Sequence, residues 1–312
     1  MPKTTNVFIM KINQTAKNYK KHFWLLVMLL PAVAYYIVFK YIPMYGATLA
    51  FKNFQILKGI MGSPWVGLQH FERLFSMGSF FTVVRNTFVI SFYKLLFGFP
   101  APIIFAILLS ELKHLRFKKT VQTISYLPHF LSWVVLASIF IQFFSPSIGP
   151  FNYILRFLGF SDIYVLTSPK FFRSLLVVTS VWKSFGWGSI IYLASLGGID
   201  SELYEAAHID GANRFQRIIH VTIPGLTPVI TIMLILTVGQ LLNDDFDQIL
   251  NMYNPAVYSV ADVISTYVYR VGLLQVNYSL ATAVGLFKNV LAFTLILITN
   301  SITKRVNDYG LW

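Results

Sequence analysis

Charged side chains along this chain fall in clusters separated by long apolar stretches. Trp24 to Phe39 carries no charge, and the apolar run continues past Lys40 to Ala50. Thr120 to Leu155 holds no Asp, Glu, Lys or Arg. A helix that crosses a bilayer needs about 20 such residues, so the pattern predicts spans at about 24–44, 84–110, 121–144, 174–198, 226–248 and 278–303. Pro100 and Pro102 stand inside the second span, where neighbouring helices can satisfy the carbonyls that proline frees. Pro146 and Pro150 end the third span as a helix. The loops 45–82, 145–171 and 249–277 are mixed in character, and the second has room for a short interfacial helix.

Between the fourth and fifth spans lies a polar segment, 200–224, that reads as two short helices joined by a glycine. Ser201 is the expected N-cap, with Glu202 in the first turn where the helix dipole favours a carboxylate. Gly211 suits a left-handed stop for the first helix. Asn213 and Gln216 have capping-box spacing for the second, and Pro224 is expected to end it. Ala206 and Ala207 keep the surface small, so another protein's backbone can approach closely.

Composition narrows the class. Of 312 residues, 56% are hydrophobic and 12% charged, and the mean hydropathy is +0.63. A soluble domain of this length carries more charge, which leaves an all-α polytopic membrane protein. There is no cysteine, which excludes disulfides, CxxC redox chemistry and thiolate metal sites.

The net charge of +13 is placed as membrane topology requires, not as a nucleic-acid surface. With the N-terminus inside, the inner segments carry thirteen Lys and Arg: Lys3, Lys11, Lys17, Lys20, Lys21, Lys113, Arg116, Lys118, Lys119, Arg214, Arg217, Lys304 and Arg305. The outer loops carry seven over far more residues: Lys52, Lys58, Arg73, Arg156, Lys170, Arg173 and Arg270. Both termini and the 200–224 segment are therefore expected in the cytoplasm. The first apolar run is long, aromatic and without a small-residue cleavage site, so it reads as an uncleaved span. The expected layout is a basic cytoplasmic segment (1–23), a six-span domain (24–305) and a tail (306–312).

The segment 200–224 carries a resemblance. Its Glu205-Ala206-Ala207, then three residues, Gly211, nine residues and Val221-Thr222-Ile223-Pro224 resemble the EAA loop of permease subunits in binding-protein-dependent ABC importers. Ile223 stands where Leu is usual and Val221 where Ile is usual. In that family the loop is cytoplasmic and sits in a cleft of the ATPase subunit. The resemblance thus marks Glu205, Ala206, Ala207, Asp210, Gly211 and Pro224 as ATPase-coupling residues.

Further along, Phe246-Asp247-Gln248-Ile249, Tyr253-Asn254-Pro255, the run Asp262 to Arg270, Ala283 to Lys288 and the ending Gly310-Leu311-Trp312 resemble the LplB-type subgroup of carbohydrate permeases. Gly67-Leu68-Gln69-His70-Phe71 resembles the loop motif that follows the first span in these permeases. The resemblance covers nearly the whole chain from Pro31 onward. It implies a type I ABC importer permease fold with six spans, in a bacterial inner (cytoplasmic) membrane. It also implies a heterodimer with a second homologous permease, two ABC ATPase subunits that hold ATP and Mg, and a periplasmic or lipid-anchored extracellular sugar-binding protein. The implied cargo is oligosaccharide released from complex polysaccharide, moved by alternating access. No cofactor and no nucleic acid is expected on this chain.

The chain carries no chemistry of its own that the sequence reveals. There is no GxxxxGK[ST] phosphate loop and no HExxH zinc motif. The six histidines are scattered, and His129 and His220 read as packing residues. No catalytic or metal-ligating residue is expected.

For the substrate pathway, Thr237, Gln240, Asp244, Asp247 and Asn251 recur at spacings of three and four. They are expected to form one polar face on the fifth span. Charge inside a bilayer is costly and usually faces a cavity or a partner. Asp244, Lys183, Lys94 and Lys288 fall about 23–27 Å from the inner ends of their spans at the α-helical rise. The expected pathway residues are Gln240, Asp244, Asp247 and Asn251, with Lys183 and Lys288 facing them and Trp187 and Tyr253 available to stack on sugar rings. The lysines also suit snorkelling or pairing with aspartate. A second class of function is an ion-coupled secondary transporter of a small polar solute. Those often show repeat symmetry and paired broken helices, and the two halves here show no convincing repeat.

The charge count generates a test. Reporter fusions at Leu115, Phe160 and Arg270 are expected to read inside, outside and outside. External access at Leu115 contradicts the topology.

Overall fold

The computed structural model describes residues 22–242 and 245–307. The basic residues up to Lys21, the pathway candidate Asp244 and the ending Gly310-Leu311-Trp312 lie outside them. The described residues are helical between loops, with one isolated antiparallel bridge, Lys52 to Trp65. The chain divides after Gly67 into two compact units.

The first unit is built on α1, Phe23–Phe51. It relaxes into a π-turn at Ile37–Tyr41 and tightens into 3-10 form from Tyr45. Among the described residues no side chain before Ala50 is buried, as suits a helix that is apolar all round. In the loop that follows, Lys52 is buried: its Nζ donates to Ile60 O at 2.8 Å and lies 5.0 Å from the centre of the Trp65 ring.

The second unit runs α2 (Gln69–Ser76), α3 (Gly78–Gly98), α4 (Pro100–Ser110), α5 (Leu115–Tyr126), α6 (Trp133–Phe143), α7 (Pro150–Phe157) and α8 (Pro169–Leu196). It continues with α9 (Ser201–Ile209), α10 (Arg214–Gly239), α11 (Phe246–Met252), α12 (Ile264–Tyr269) and α13 (Tyr278–Asn307). Five helices among the described residues, α1, α3–α4 together, α8, α10 and α13, are long and apolar enough to cross a membrane. The bent pair α5–α6, counted as one span, brings the number to six.

Helix α8 is the unbroken centre, packed on α3, α4, α5, α10 and α11. Its 28 residues are about 42 Å long at the α-helical rise. Small residues set its spacing. A Cβ on Gly186 would lie 2.1 Å from the Ser125 carbonyl oxygen, so α5 touches α8 backbone to backbone. Lipid tails are as apolar as side chains, so close van der Waals packing is what drives such contacts in a membrane. Two apolar clusters fix the far end. One joins Ile90, Phe172, Leu176, Ile249 and Val257, and the other joins Phe80, Val83, Ile264, Tyr267 and Val284.

Four expected features differ from what is found. The third span is not one helix over 121–144. It breaks at Leu131–Ser132, after a 3-10 turn that contains Pro128, and bends by 101°. The fifth span is not 226–248. It begins at Arg214 and ends at Gly239. Pro224 does not end a helix, because a π-turn at Ile218–Thr222 precedes it and Ile223 N–H bonds to Ile218 O. The wider turn absorbs the hydrogen bond that proline cannot donate. Finally, Asp200 is the N-cap of α9, with its Oδ1 accepting from Glu202 N–H at 2.9 Å, and Ser201 is the first helical residue. The short helix expected in 145–171 is α7.

The contact at Gly186 is testable. Gly186→Ala must separate α5 from α8, at a cost of about 1–3 kcal/mol for overpacking. A lower thermal midpoint of the membrane-extracted complex is expected, and an unchanged midpoint contradicts the close approach.

Candidate translocation site and coupling loop

Helices α3, α4, α8 and α10 and the start of α11 enclose a polar cleft of about 370 Å³. Lys94, Ser91, Ser180, Ser184, Tyr192, Thr237, Gln240 and Asp245 line it. Lys94 Nζ donates to Asp245 Oδ2 at 2.7 Å and to Gln248 Oε1 at 2.6 Å. Ser180 Oγ donates to the same carboxylate oxygen at 3.0 Å. Gln248 is fully buried, and its Nε2 donates to Leu176 O and Thr179 Oγ1, both at 2.8 Å. One ammonium, one carboxylate and one amide therefore tie α3, α8 and α11 together. Every buried side-chain polar atom in this knot has a partner, which is the condition for polar groups to be stable in low dielectric.

The cleft forms because α10 stops. Gly239 is its last residue, Gln240 to Leu242 turn, and a new short helix begins at Phe246. The expected single polar face from Thr237 to Asn251 does not exist, because the 3.6-residue period does not continue through this break. Thr237 and Gln240 do line the cleft. Asp247 is exposed, and Asn251 Nδ2 donates to the Asp247 backbone oxygen at 2.7 Å, within α11. Lys288 Nζ donates to Ser265 Oγ at 2.7 Å, away from the cleft.

Lys183 and Trp187 brace the α5–α6 bend. Lys183 Nζ donates to Leu131 O and lies 4.8 Å from the centre of the Trp133 ring. It remains close enough to Asp245 and Asp247 to feel both charges. It also lies near the middle of α8, deeper than expected for a residue in the outer part of the bilayer. Trp187 stacks on His129 at 4.7 Å and 4°. Tyr253 packs at 4.9 Å on Tyr258, and burial pushes its phenol up to about 12. Both aromatic candidates thus have one face covered by a neighbouring ring. The residues that sequence reasoning missed are Asp245, Ser180, Ser184 and Gln248. The serines stand four apart on α8, a signal available in the sequence. Asp245 was hidden by treating the fifth span as continuous.

At the other end of α10 lies the loop 200–224. Helix α9 ends in a Schellman motif: Ala212 N–H bonds to Ala207 O at 2.9 Å and Gly211 N–H to His208 O at 3.1 Å. Gly211 has φ +79°, the conformation expected from its position. The capping box is formed, with Asn213 and Gln216 exchanging bonds of 2.8 and 2.9 Å. Tyr204 and Thr222 share a 3.1 Å hydroxyl bond that ties α9 to α10. Glu205, Ala206, Asp210, Gly211 and Pro224 are exposed and Ala207 half-buried. Ile209 and Phe215 are 86% and 70% exposed.

Residues 98–308 match the family of binding-protein-dependent transport system inner membrane components. This chain belongs to that family. The permease is 42% identical to protein LplB of Bacillus subtilis (strain 168), over 94% of its own length and 92% of that protein's. It is 39% identical to the polygalacturonan/rhamnogalacturonan transport system permease protein YteP of the same organism, over 93% and 90%. A chain of a bacterial alginate ABC transporter, solved in complex with its alginate pentasaccharide-bound periplasmic protein, superposes with a TM-score of 0.88. That chain is 39% identical, with 95% of the permease and 99% of the neighbour covered. The permease is therefore a multi-pass inner-membrane subunit of an ABC importer and not an ion-coupled secondary transporter. It is a transport subunit, not an enzyme.

The polar knot predicts coupling between its members. Lys94→Met leaves the Gln248 oxygen buried without its donor, at a cost of about 1–3 kcal/mol. Asp245 is 42% exposed, so the ion pair itself contributes towards the lower end. In a double-mutant cycle of Lys94→Met and Asp245→Asn, read by thermal stability of the complex, the double variant should lose less than the sum of the singles. Strict additivity contradicts a knot that acts as a unit.

Proposed function

We propose that the permease carries oligosaccharides, fragments of complex polysaccharide, across the inner membrane by alternating access. The observation that supports this most is the polar cleft beside the break in α10, in a chain similar over its full length to permeases named for such glycans. Serine, threonine and glutamine side chains suit sugar hydroxyls. With Lys94 and Asp245 paired, the described lining carries no net charge, so hydroxyl recognition dominates. Gln240 serves the pathway directly, with Asp245, Ser180 and Ser184 beside it. Asp247 and Asn251 continue the pathway beyond the break, with Lys183 and Trp187 bordering it at the bend. Lys288, bound to Ser265 Oγ, stands outside it.

On this reading the loop 200–224 is cytoplasmic and docks in one of two ABC ATPase subunits, which hold ATP and Mg. A second, homologous permease completes the pathway as a heterodimer, because one side of a cleft cannot enclose a sugar. A sugar-binding protein delivers the glycan on the other side. Closure of the ATPases moves α9, the Tyr204–Thr222 tie moves α10 with it, and the cleft at the far end of α10 changes its access. Uptake by the assembled complex, reconstituted and offered a panel of glycans, tests the cargo. Transport of amino acids or ions in place of every glycan refutes it.

Coupling is tested separately. Glu205→Lys is expected to abolish sugar-stimulated ATP hydrolysis while the chain still inserts. Gly211→Val forces a β-branched residue to φ +79°, at about 1–2 kcal/mol, and is expected to uncouple in the same way by displacing the second helix. Full stimulated hydrolysis in both variants contradicts the docking role.

A further inference from the structure

A second concavity, of about 790 Å³, lies between α3 and α8 on a face of α8 turned away from Lys183 and Trp187. Its walls are Tyr93 and Phe97 of α3 and Val177, Val178 and Trp182 of α8. Val178 is 64% exposed and Phe97 55%, with Val177 buried behind them. Phe185, which packs edge-on against Phe105 at 4.9 Å, is the lining residue nearest the loop 200–224. The opposite end is bordered by two cations, Lys170 and Arg173. Among the described residues neither forms an ion pair. Arg85 adds a third positive charge near Arg173.

Depth decides what fits. The length of α8, about 42 Å, equals a bilayer with its headgroup layers, about 40–45 Å, around a hydrocarbon core of about 30 Å. Centred in that bilayer, α8 puts Lys170 and Arg173 at the headgroup level and Trp182 and Phe185 near the midplane. The apolar part of the groove, from Ser174 to Phe185, is about 17 Å long on the same rise. That matches one leaflet. The groove therefore has cations where a lipid phosphate lies and an apolar wall, about one leaflet long, where an acyl chain lies.

We propose that this groove binds one anionic phospholipid, its phosphate on Lys170 and Arg173 and an acyl chain along Val177, Val178 and Trp182, in the leaflet opposite the loop 200–224. A helix of the second permease is the other candidate occupant. Such a helix crosses both leaflets and brings apolar side chains, whereas the lining of this groove spans one leaflet and ends on two cations that form no ion pair among the described residues, which a lipid phosphate would complement. Arg173 is already held by Asn86 Oδ1 at 2.7 Å and Val260 O at 3.0 Å, so its guanidinium is fixed in place before the lipid arrives. The inference goes beyond the sugar reading, and only the naming of the leaflet as extracytoplasmic rests on it.

The test is native mass spectrometry of the assembled importer, released from nanodiscs containing equal phosphatidylglycerol and phosphatidylcholine. One phosphatidylglycerol retained per copy of this chain is expected. Lys170→Gln should lower retention about fivefold, the worth of one basic residue at an anionic bilayer surface. Val178→Trp fills the groove and should remove the lipid. If Val178→Trp does not assemble, Lys170→Gln decides alone. Equal retention of the two lipids, or unchanged retention in Lys170→Gln, overturns the proposal. So does a crosslink from Val178→Cys, a unique thiol in this cysteine-free chain, to the second permease.

Discussion

A backbone carbonyl left without a donor inside a bilayer costs several kcal/mol, and water is not there to rescue it. Each broken element in this permease therefore needs a neighbour that repairs it. Helix α8 is that neighbour for all three. Lys183 caps Leu131 O where α5 gives way to α6. Ser180 holds Asp245 and Thr179 holds Gln248 where α10 gives way to α11. Arg173 binds Val260 O in the segment between α11 and α12, and holds Asn86, whose amide donates to Ser259 O and Asp262 O at 3.2 Å. One continuous helix lets its neighbours be discontinuous.

This division of labour bears on transport. The breaks are where polar side chains gather at membrane depth, as irregular backbone there is tolerated only where protein or a cavity surrounds it. The cleft around Gln240 and Asp245 is one such place. Helix α10 joins that cleft to the loop 200–224 as a single rod of 26 residues, about 39 Å long. It carries a π-turn at Ile218–Thr222 and a second proline, Pro228, both of them places where a helix can bend. Motion proposed to begin at the docking loop reaches the cleft along this one helix. The lipid groove lies on another face of α8, so it serves the setting of that central helix in the bilayer and not the sugar path.

The sequence by itself determined the class, the apolar helices and the caps of the loop 200–224. Apolar run length, the placement of Lys and Arg, and the capping residues Asn213, Gln216 and Gly211 are local signals, and local hydrogen bonding and solvation read them directly. Even so, the N-cap moved by one residue to Asp200, since neighbouring Asp and Ser compete for that position on equal terms.

Only the tertiary structure decided where spans break and which polar residues meet. Lys94 and Asp245 lie 151 positions apart, Arg173 and Val260 87, and Lys183 and Leu131 52. No period in the sequence records such pairs. A break inside a membrane is stable only if a distant side chain supplies the missing bond. A span with such a partner and a span without one look alike in hydropathy. The helical period assumed through Gly239 therefore put Asp244, Asp247 and Asn251 on one face, while the donors on α3 and α8 allowed the chain to turn there and put Asp245 in the cleft.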